Sequence, residues 1–240
     1  MLVNTKAIVL GVVKYGDHGL VVKCFTYKEG LKSYLLQGVL KQKKGKLHKS
    51  QFLPLTLLQI QAKHNNKGAL NRISEAKITH HYKEIHVDFL KQSLVYFLSE
   101  FLCSIMTEEE GENTLLFEFL EQAFLWLDDH EDVANFHLRF LFDVTKFLGF
   151  YPDERDMDRS LFFDLKGGRF VNKNGIHIIQ GKELDLFKKA LGIKFDELNS
   201  TAFSKGERTV IIELILKYYQ LHMNYFKKPK SLEVLSKVLA

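Results

Sequence analysis

Thr5–Lys14, TKAIVLGVVK, and Leu20–Thr26, LVVKCFT, are the stretches whose reading decides the fold. Both are short, rich in β-branched residues and bounded by glycine-containing turns at Tyr15–Gly19 and Lys28–Gly30, which predicts two strands. Leu31–Val39 follows across a tight Lys-Glu-Gly turn as the second arm of a hairpin. A fourth strand is expected in Leu55–Ala62, where Leu58, Ile60 and Ala62 alternate with Gln59 and Gln61. Ala69–Ile78 supplies a fifth after the Asn65–Gly68 turn. Five short strands in succession predict a small β-barrel.

Near His80 the apolar period changes from two to between three and four. Leu90, Leu94, Phe97, Phe101 and Ile105 share one helical face, as do Leu116, Leu120, Ala123 and Leu127 within Thr114–Asp129. Leu141, Val144 and Leu148 do the same within Val133–Leu148, which Gly149 and Pro152 terminate. Beyond Pro152 a polar stretch, Asp153–Ser160, leads to LFFDLKGGRFV, whose Gly167–Gly168 pair marks a hairpin. Helices resume at Lys182–Leu191 and Ser204–Phe226, where Ser204 and Glu207 have the spacing of a capping box. The expected class is α+β: a barrel over residues 1–80, a helical bundle over 81–152, and a C-terminal helical region over 153–240 with a β-hairpin near 161–171, packed with the bundle.

The net charge of +5 conceals a strong asymmetry. Residues 1–80 hold 14 Lys and Arg against three acids, a net +11; residues 81–160 hold six against 18, a net −12; residues 161–240 hold 14 against eight, a net +6. The basic ends are candidate polyanion sites. The acidic middle, Glu108–Glu112 and Asp128–Asp132, repels phosphate and is left for solvent or protein contacts. The only cysteines, Cys24 and Cys103, fit no zinc spacing or disulfide framework, which points to a reducing cytoplasm. No apolar run has membrane-spanning length and the Met1–Ala7 start lacks a signal-peptide pattern, so a cytoplasmic, nucleoid-associated protein without a membrane partner is expected.

Lys41, Lys43, Lys44, Lys46 and Lys49, with His48, cluster around Gly45 in a connection between two strands. A multiply cationic loop on a rigid barrel can follow a phosphate backbone and gain from counterion release. Sequence preference should be slight, because lysine is a mobile point charge and Arg72 is the region's only arginine. Lys14, Lys23 and Arg72 complete the candidate cations. Single strands also call for aromatic stacking, with Tyr15, Phe25, Tyr27, Tyr34 and Phe52 to choose from and Tyr34 and Phe52 preferred.

YGDHGLVVKCFTYKEG at Tyr15–Gly30, LLQGV at Leu35–Val39, the lysine loop and FLPLTLL at Phe52–Leu58 together resemble the N-terminal half of the bacterial recombination mediator RecO family. FDLKGGRFV at Phe163–Val171 and SLEVL at Ser231–Leu235 are similar to its C-terminal half. The resemblance implies an OB-fold for residues 1–80 and a function in DNA repair and recombination. It implies binding of single- and double-stranded DNA, annealing of complementary strands, and replacement of single-strand-binding protein by RecA together with RecR. Many members carry a four-cysteine zinc module in the C-terminal half, but this chain has no cysteine after Cys103 and offers Leu161, Phe162 and Phe163 there. No zinc is therefore expected. The acidic, hydrophobic tail of single-strand-binding protein would need an apolar dock with basic rims, for which Lys217, Lys227 and Lys228 near the C-terminal helix are candidates.

Two other readings compete. An RNA-binding OB-fold protein without catalytic activity shares the basic-barrel signal. A two-metal nuclease could be imagined from Asp153, Glu154, Asp156 and Asp158, but these are sequence neighbours in a polar connection after Pro152, which reads as a solvated loop. His80, His81 and His86 lack the spacing of a helical metal pair and read as structural. With no GxxxxGK[ST] loop there is no sign of an ATP site. No enzyme, metal or cofactor is expected.

Overall fold

The computed structural model describes all residues except 42–45, 66–69, 108–110, 196–202 and 240. Its first five strands, β1 (Leu2–Tyr15), β2 (Gly19–Thr26), β3 (Gly30–Leu36), β4 (Leu57–Lys63) and β5 (Arg72–Ile78), form one sheet in the order β3-β2-β1-β4-β5. All neighbouring pairs within it are antiparallel. The two edges then meet through a parallel bridge between Tyr34 and Asn71, with Leu35 N–H donating to Asn71 O at 2.8 Å and Asn71 N–H to Ser33 O at 3.0 Å. The register shifts between Val9 and Gly11 and between Gln61 and Ala62, bulges that bend the strands into a closed barrel. Ala7, Val9, Val22, Cys24, Tyr34, Leu58 and Ile60 fill its interior, the alternation that the β4 sequence announces.

The closing seam is polar. Tyr34 Oη lies 2.9 Å from His64 Nε2, and His64 Nδ1 lies 3.0 Å from Glu29 Oε2. A carboxylate only accepts, so Nδ1 carries a hydrogen directed at Glu29, and Nε2 and the Tyr34 hydroxyl share the second hydrogen bond. Burial, reinforced by the nearby Cys24 and Glu29, pushes the Tyr34 phenol far up, which keeps it neutral. Asn71 extends the seam by accepting from Asn65 N–H at 2.9 Å and donating to Ser33 O at 3.2 Å.

The chain divides into two compact units, Met1–Asp129 with Pro229–Ser231, and His130–Lys228 with Leu232–Ala240. The first contains the barrel, α1 (Phe89–Ile105) and α2 (Thr114–Asp129). These helices cover one outer face of the barrel. Cys103 Sγ donates to Leu10 O at 3.3 Å, and Phe117 packs on Phe25 and Tyr27 with ring centroids 5.7 and 5.5 Å away. The segment between barrel and helices is fixed by Asp128, whose buried carboxylate accepts from the backbone N–H groups of Lys83, Glu84 and Ile85 at 2.8–2.9 Å. Buried Lys91 joins this knot, donating to Glu84 Oε2 at 2.7 Å and to Asp128 O at 2.9 Å.

The second unit contains α3 (Phe136–Phe147), a small antiparallel sheet of β6 (Phe162–Asp164), β7 (Arg169–Val171) and β8 (Ile178–Gln180) in the order β7-β6-β8, then α4 (Gly181–Leu191), α5 (Lys205–His222) and α6 (Leu232–Val238). The hairpin at Gly167–Gly168 forms as its glycines predict. The third strand β8 goes beyond the expected hairpin, although Asn174–Gly175 ahead of it is a turn signal, and α6 is too short for its period to be read. Ser204 does cap α5, with Glu207 N–H donating to Ser204 Oγ at 3.3 Å and Ser204 N–H to Glu207 Oε2 at 2.8 Å. Among the described residues no helix is long and apolar enough to cross a membrane.

Burial alone would raise the Asp128 pKa, but the three backbone donors and the Lys91 charge outweigh it and hold the carboxyl below its ordinary range. A depressed folded-state pKa contributes stability that is present above the unfolded value of about 3.9 and is lost as pH falls through the folded one. Asp128→Asn should lose about 2–4 kcal/mol of stability at neutral pH. Chemical denaturation across acidic pH checks the second expectation, a shallower acid decline in the variant than in the parent.

Candidate nucleic-acid interface

The lysine loop belongs to the β3–β4 connection, and the connection is anchored from within. Val39 and Phe52 are buried in the barrel core and Leu47 packs against it. Gln51, in the short 3-10 turn Lys49–Phe52, accepts from His48 N–H at 2.7 Å and donates to Ala76 O on β5 at 2.8 Å. At the entrance Leu40 N–H donates to His18 O at 3.2 Å, placing the loop beside the β1–β2 turn. At the exit buried Leu55 adopts a positive φ of 62°, fixed by its N–H to Val9 O at 2.7 Å and by Tyr82 Oη donating to Leu55 O at 3.1 Å. With Val39 and Phe52 turned inward and Leu47 packed beside them, Lys41, Lys46 and Lys49 stand exposed. Lys43 and Lys44 lie outside the described residues.

Lys46 donates to Glu75 Oε1 on β5 at 2.6 Å, and that hydrogen bond raises its pKa. Both partners are solvated, so the pair is weak and an arriving phosphate can take the place of Glu75. Lys14 is exposed near the end of β1, opposite Leu20. Lys23, half-buried in β2, faces Gly11 and Ser33 and opposes the burial that raises the Cys103 thiol pKa. Arg72 is exposed at the start of β5, directly across from Lys63. Lys63 is a cation missed by sequence reading, although the spacing across the β4–β5 turn could have paired it with Arg72. Gln51 carried no signal, because its role depends on the strand it reaches.

Two of the expected stacking residues are corrected by the structure. Tyr34 is 0% exposed and Phe52 2%, so neither ring can meet a base. Tyr34 points inward from β3 to complete the closing seam, and Phe52 fills the barrel interior. Phe25 is buried as well, and Tyr27 is committed to Phe117 and to Glu118, to which it donates at 3.1 Å. Of the five aromatics, Tyr15 alone has an open ring, 56% exposed beside the β1–β2 turn.

The acids of α2 engage a different part of the barrel. Glu121 binds Lys6 at 2.9 Å and Glu118 holds Tyr27, so Lys6 is neutralised there. In the second unit, Lys217 and Lys227 are exposed, and Lys228 donates to Glu213 at 2.6 Å. The polar connection after Pro152 does not converge its acids. Asp153 is held by Arg155 at 2.9 Å, which draws its pKa down to about 2, and Glu154 accepts from Tyr151 Oη at 2.6 Å. His80 and His86 flank Tyr82 with ring centroids 5.2 and 5.5 Å away. No group of three or more His, Cys, Asp or Glu among the described residues is placed to hold a metal ion.

Comparison with known proteins covers both units. A family model described as recombination protein O N terminal matches residues 1–82, and one described as recombination protein O C terminal matches residues 86–233. The chain is 43% identical over 240 residues to the DNA repair protein RecO of Flavobacterium psychrophilum, covering 100% of both chains. It is 40% identical over 240 residues to that of Flavobacterium johnsoniae, again covering 100% of both. With that of Christiangramia forsetii it shares 41% over 239 residues, 99% of each chain.

The corrected role of Tyr34 is open to test. Tyr34→Phe strands the buried His64 nitrogen and should cost about 1–2 kcal/mol in denaturant unfolding. Fluorescence anisotropy with a labelled oligonucleotide should show its affinity unchanged within about twofold, whereas a stacking residue would be worth about 1–3 kcal/mol.

Proposed function

The chain belongs to the recombination protein O family of DNA repair proteins, and from that premise we propose that it is a non-catalytic recombination mediator that binds single- and double-stranded DNA and anneals complementary strands. The observation that carries this reading is the inward anchoring of the β3–β4 connection, which leaves Lys41, Lys46 and Lys49 exposed. A phosphate backbone lying on this surface releases condensed counterions, and Glu75 gives way to phosphate at Lys46. Lys14, Lys23 and Arg72 widen the positive surface, and Tyr15 offers one stacking face beside it.

Such a surface reads charge and not bases. Lysines provide no fixed bidentate fork, so any sequence can be held. Two strands whose phosphates are neutralised by protein repel each other less, and their base pairing then proceeds without a covalent step. In the cell the expected setting is the cytoplasm, at the nucleoid. There the protein acts with RecR to replace single-strand-binding protein by RecA. The acidic, apolar tail of single-strand-binding protein would dock in the second unit, where Lys217, Lys227 and Lys228 are the candidate basic rim.

Replacing Lys41, Lys43, Lys44 and Lys46 with alanine should weaken oligonucleotide binding and reduce the slope of log affinity against log salt by up to about 3. Annealing by the parent protein should persist in chelator, and matched DNA should compete at least as well as RNA. An unchanged slope in the variant, or magnesium-dependent cleavage abolished by Asp156→Ala, would overturn the reading.

A further inference from the structure

The β6–β7–β8 sheet of the second unit and its connecting turns display cations that form no ion pair among the described residues, and we propose that this is a further phosphodiester-binding surface that grips a second nucleic-acid strand. The inference rests on the DNA-handling reading above. Lys166, Arg169 and Lys173 are exposed and line one groove together with Asn174, Ile176 and His177. Among the described residues none of the three cations is in an ion pair, unlike Lys6, Lys46 and Lys228, which are each held by a glutamate. Asp164 is the one acid on the groove: it stands across from Arg169 in the β6–β7 register and accepts from the Lys166 N–H at 3.0 Å, which leaves Lys166 and Lys173 as its cations with no acid opposite them in a strand pair. Asp153, which Arg169 also influences, is already bound by Arg155.

The groove is a rigid platform. Phe163 packs its ring on Phe170 and Phe187 with centroids 4.8 and 4.6 Å away, seating the inner face of the sheet on apolar side chains. His222 on α5 donates to Leu165 O at 2.9 Å, fixing the start of the β6–β7 turn. Gly168 adopts a φ of +64°, and a Cβ there would stand 2.8 Å from Tyr218 Oη, so the turn fits against α5 only as glycine. Cations held on a fixed backbone lose less freedom on binding than cations on a free chain. Ile176 adds an apolar group, 95% exposed, beside the charges. Phosphate next to a base or sugar face is the partner chemistry that suits such a surface.

A second surface gives annealing a physical basis within one chain, since one strand can occupy the lysine loop of the first unit while another occupies this groove. The test uses the full-length protein with Lys166, Arg169 and Lys173 replaced by glutamine. A milder Lys166→Gln, Lys173→Gln variant serves if the triple one unfolds, and a charge-preserving variant, Lys166→Arg, Arg169→Lys, Lys173→Arg, is the control. The glutamine variants should anneal complementary oligonucleotides at least about tenfold more slowly, and the salt slope for a labelled single strand should fall by up to about 2. The charge-preserving variant should behave as the parent. Unchanged annealing and slope, with the lysine-loop variant still impaired, would overturn the proposal and leave the DNA-handling reading intact. If the lysine-loop variant is equally without effect, that reading fails instead.

Discussion

The inward anchoring of the β3–β4 connection is the constraint on which the exposed surface of the first unit depends. A five-stranded barrel of this size leaves its interior to be filled, and Val39 and Phe52 help to fill it. Each fully buried side chain of this size is worth about 1.5–3 kcal/mol relative to exposure. The ion pair between Lys46 and Glu75, exposed to water, is worth much less. Packing therefore decides the path of the described part of the connection, and Lys41, Lys46 and Lys49 take positions on its outer side. The same logic places Leu55 in a left-handed conformation, since its N–H and C=O are both claimed by neighbours and its side chain is buried.

Charge is segregated by the same means. The acidic helix α2 packs on the barrel through Phe117, and its acids meet Lys6 and Tyr27 there. Lys41, Lys46 and Lys49 share no ion pair with α2 among the described residues, so the acids of that helix leave their charge in place. In the second unit the small sheet repeats the arrangement, with aromatic rings inside and, outside, cations that form no ion pair among the described residues.

Much of the fold was legible because its signals are local. Period-two alternation in β4, glycine turns around β2 and the Ser204–Glu207 cap each depend on residues within a few positions of one another. The strand ends were less so: β3 stops at Leu36, not Val39, because Val39 is needed as filling and not as a pairing partner. The closing contact of Tyr34 with Asn71 and His64 joins residues more than 25 positions apart, and nothing in the local sequence separates a tyrosine destined for that seam from one destined for solvent. For that reason the sequence marks where cations cluster, while which aromatic rings lie open to solvent does not follow from it. Net charge survives ignorance of the fold, whereas the face on which a ring lies requires the register.

The most direct test of the central claim is a lysine footprint. The full-length protein is acetylated with and without a single-stranded oligonucleotide, and modification is quantified at each lysine by mass spectrometry. The account predicts that Lys41, Lys43, Lys44, Lys46 and Lys49 become protected, while Lys83 and Lys146, outside both basic surfaces, do not. Protection confined to lysines outside the loop and the β6–β7–β8 groove, with the loop modified as fast as in the free protein, would contradict it.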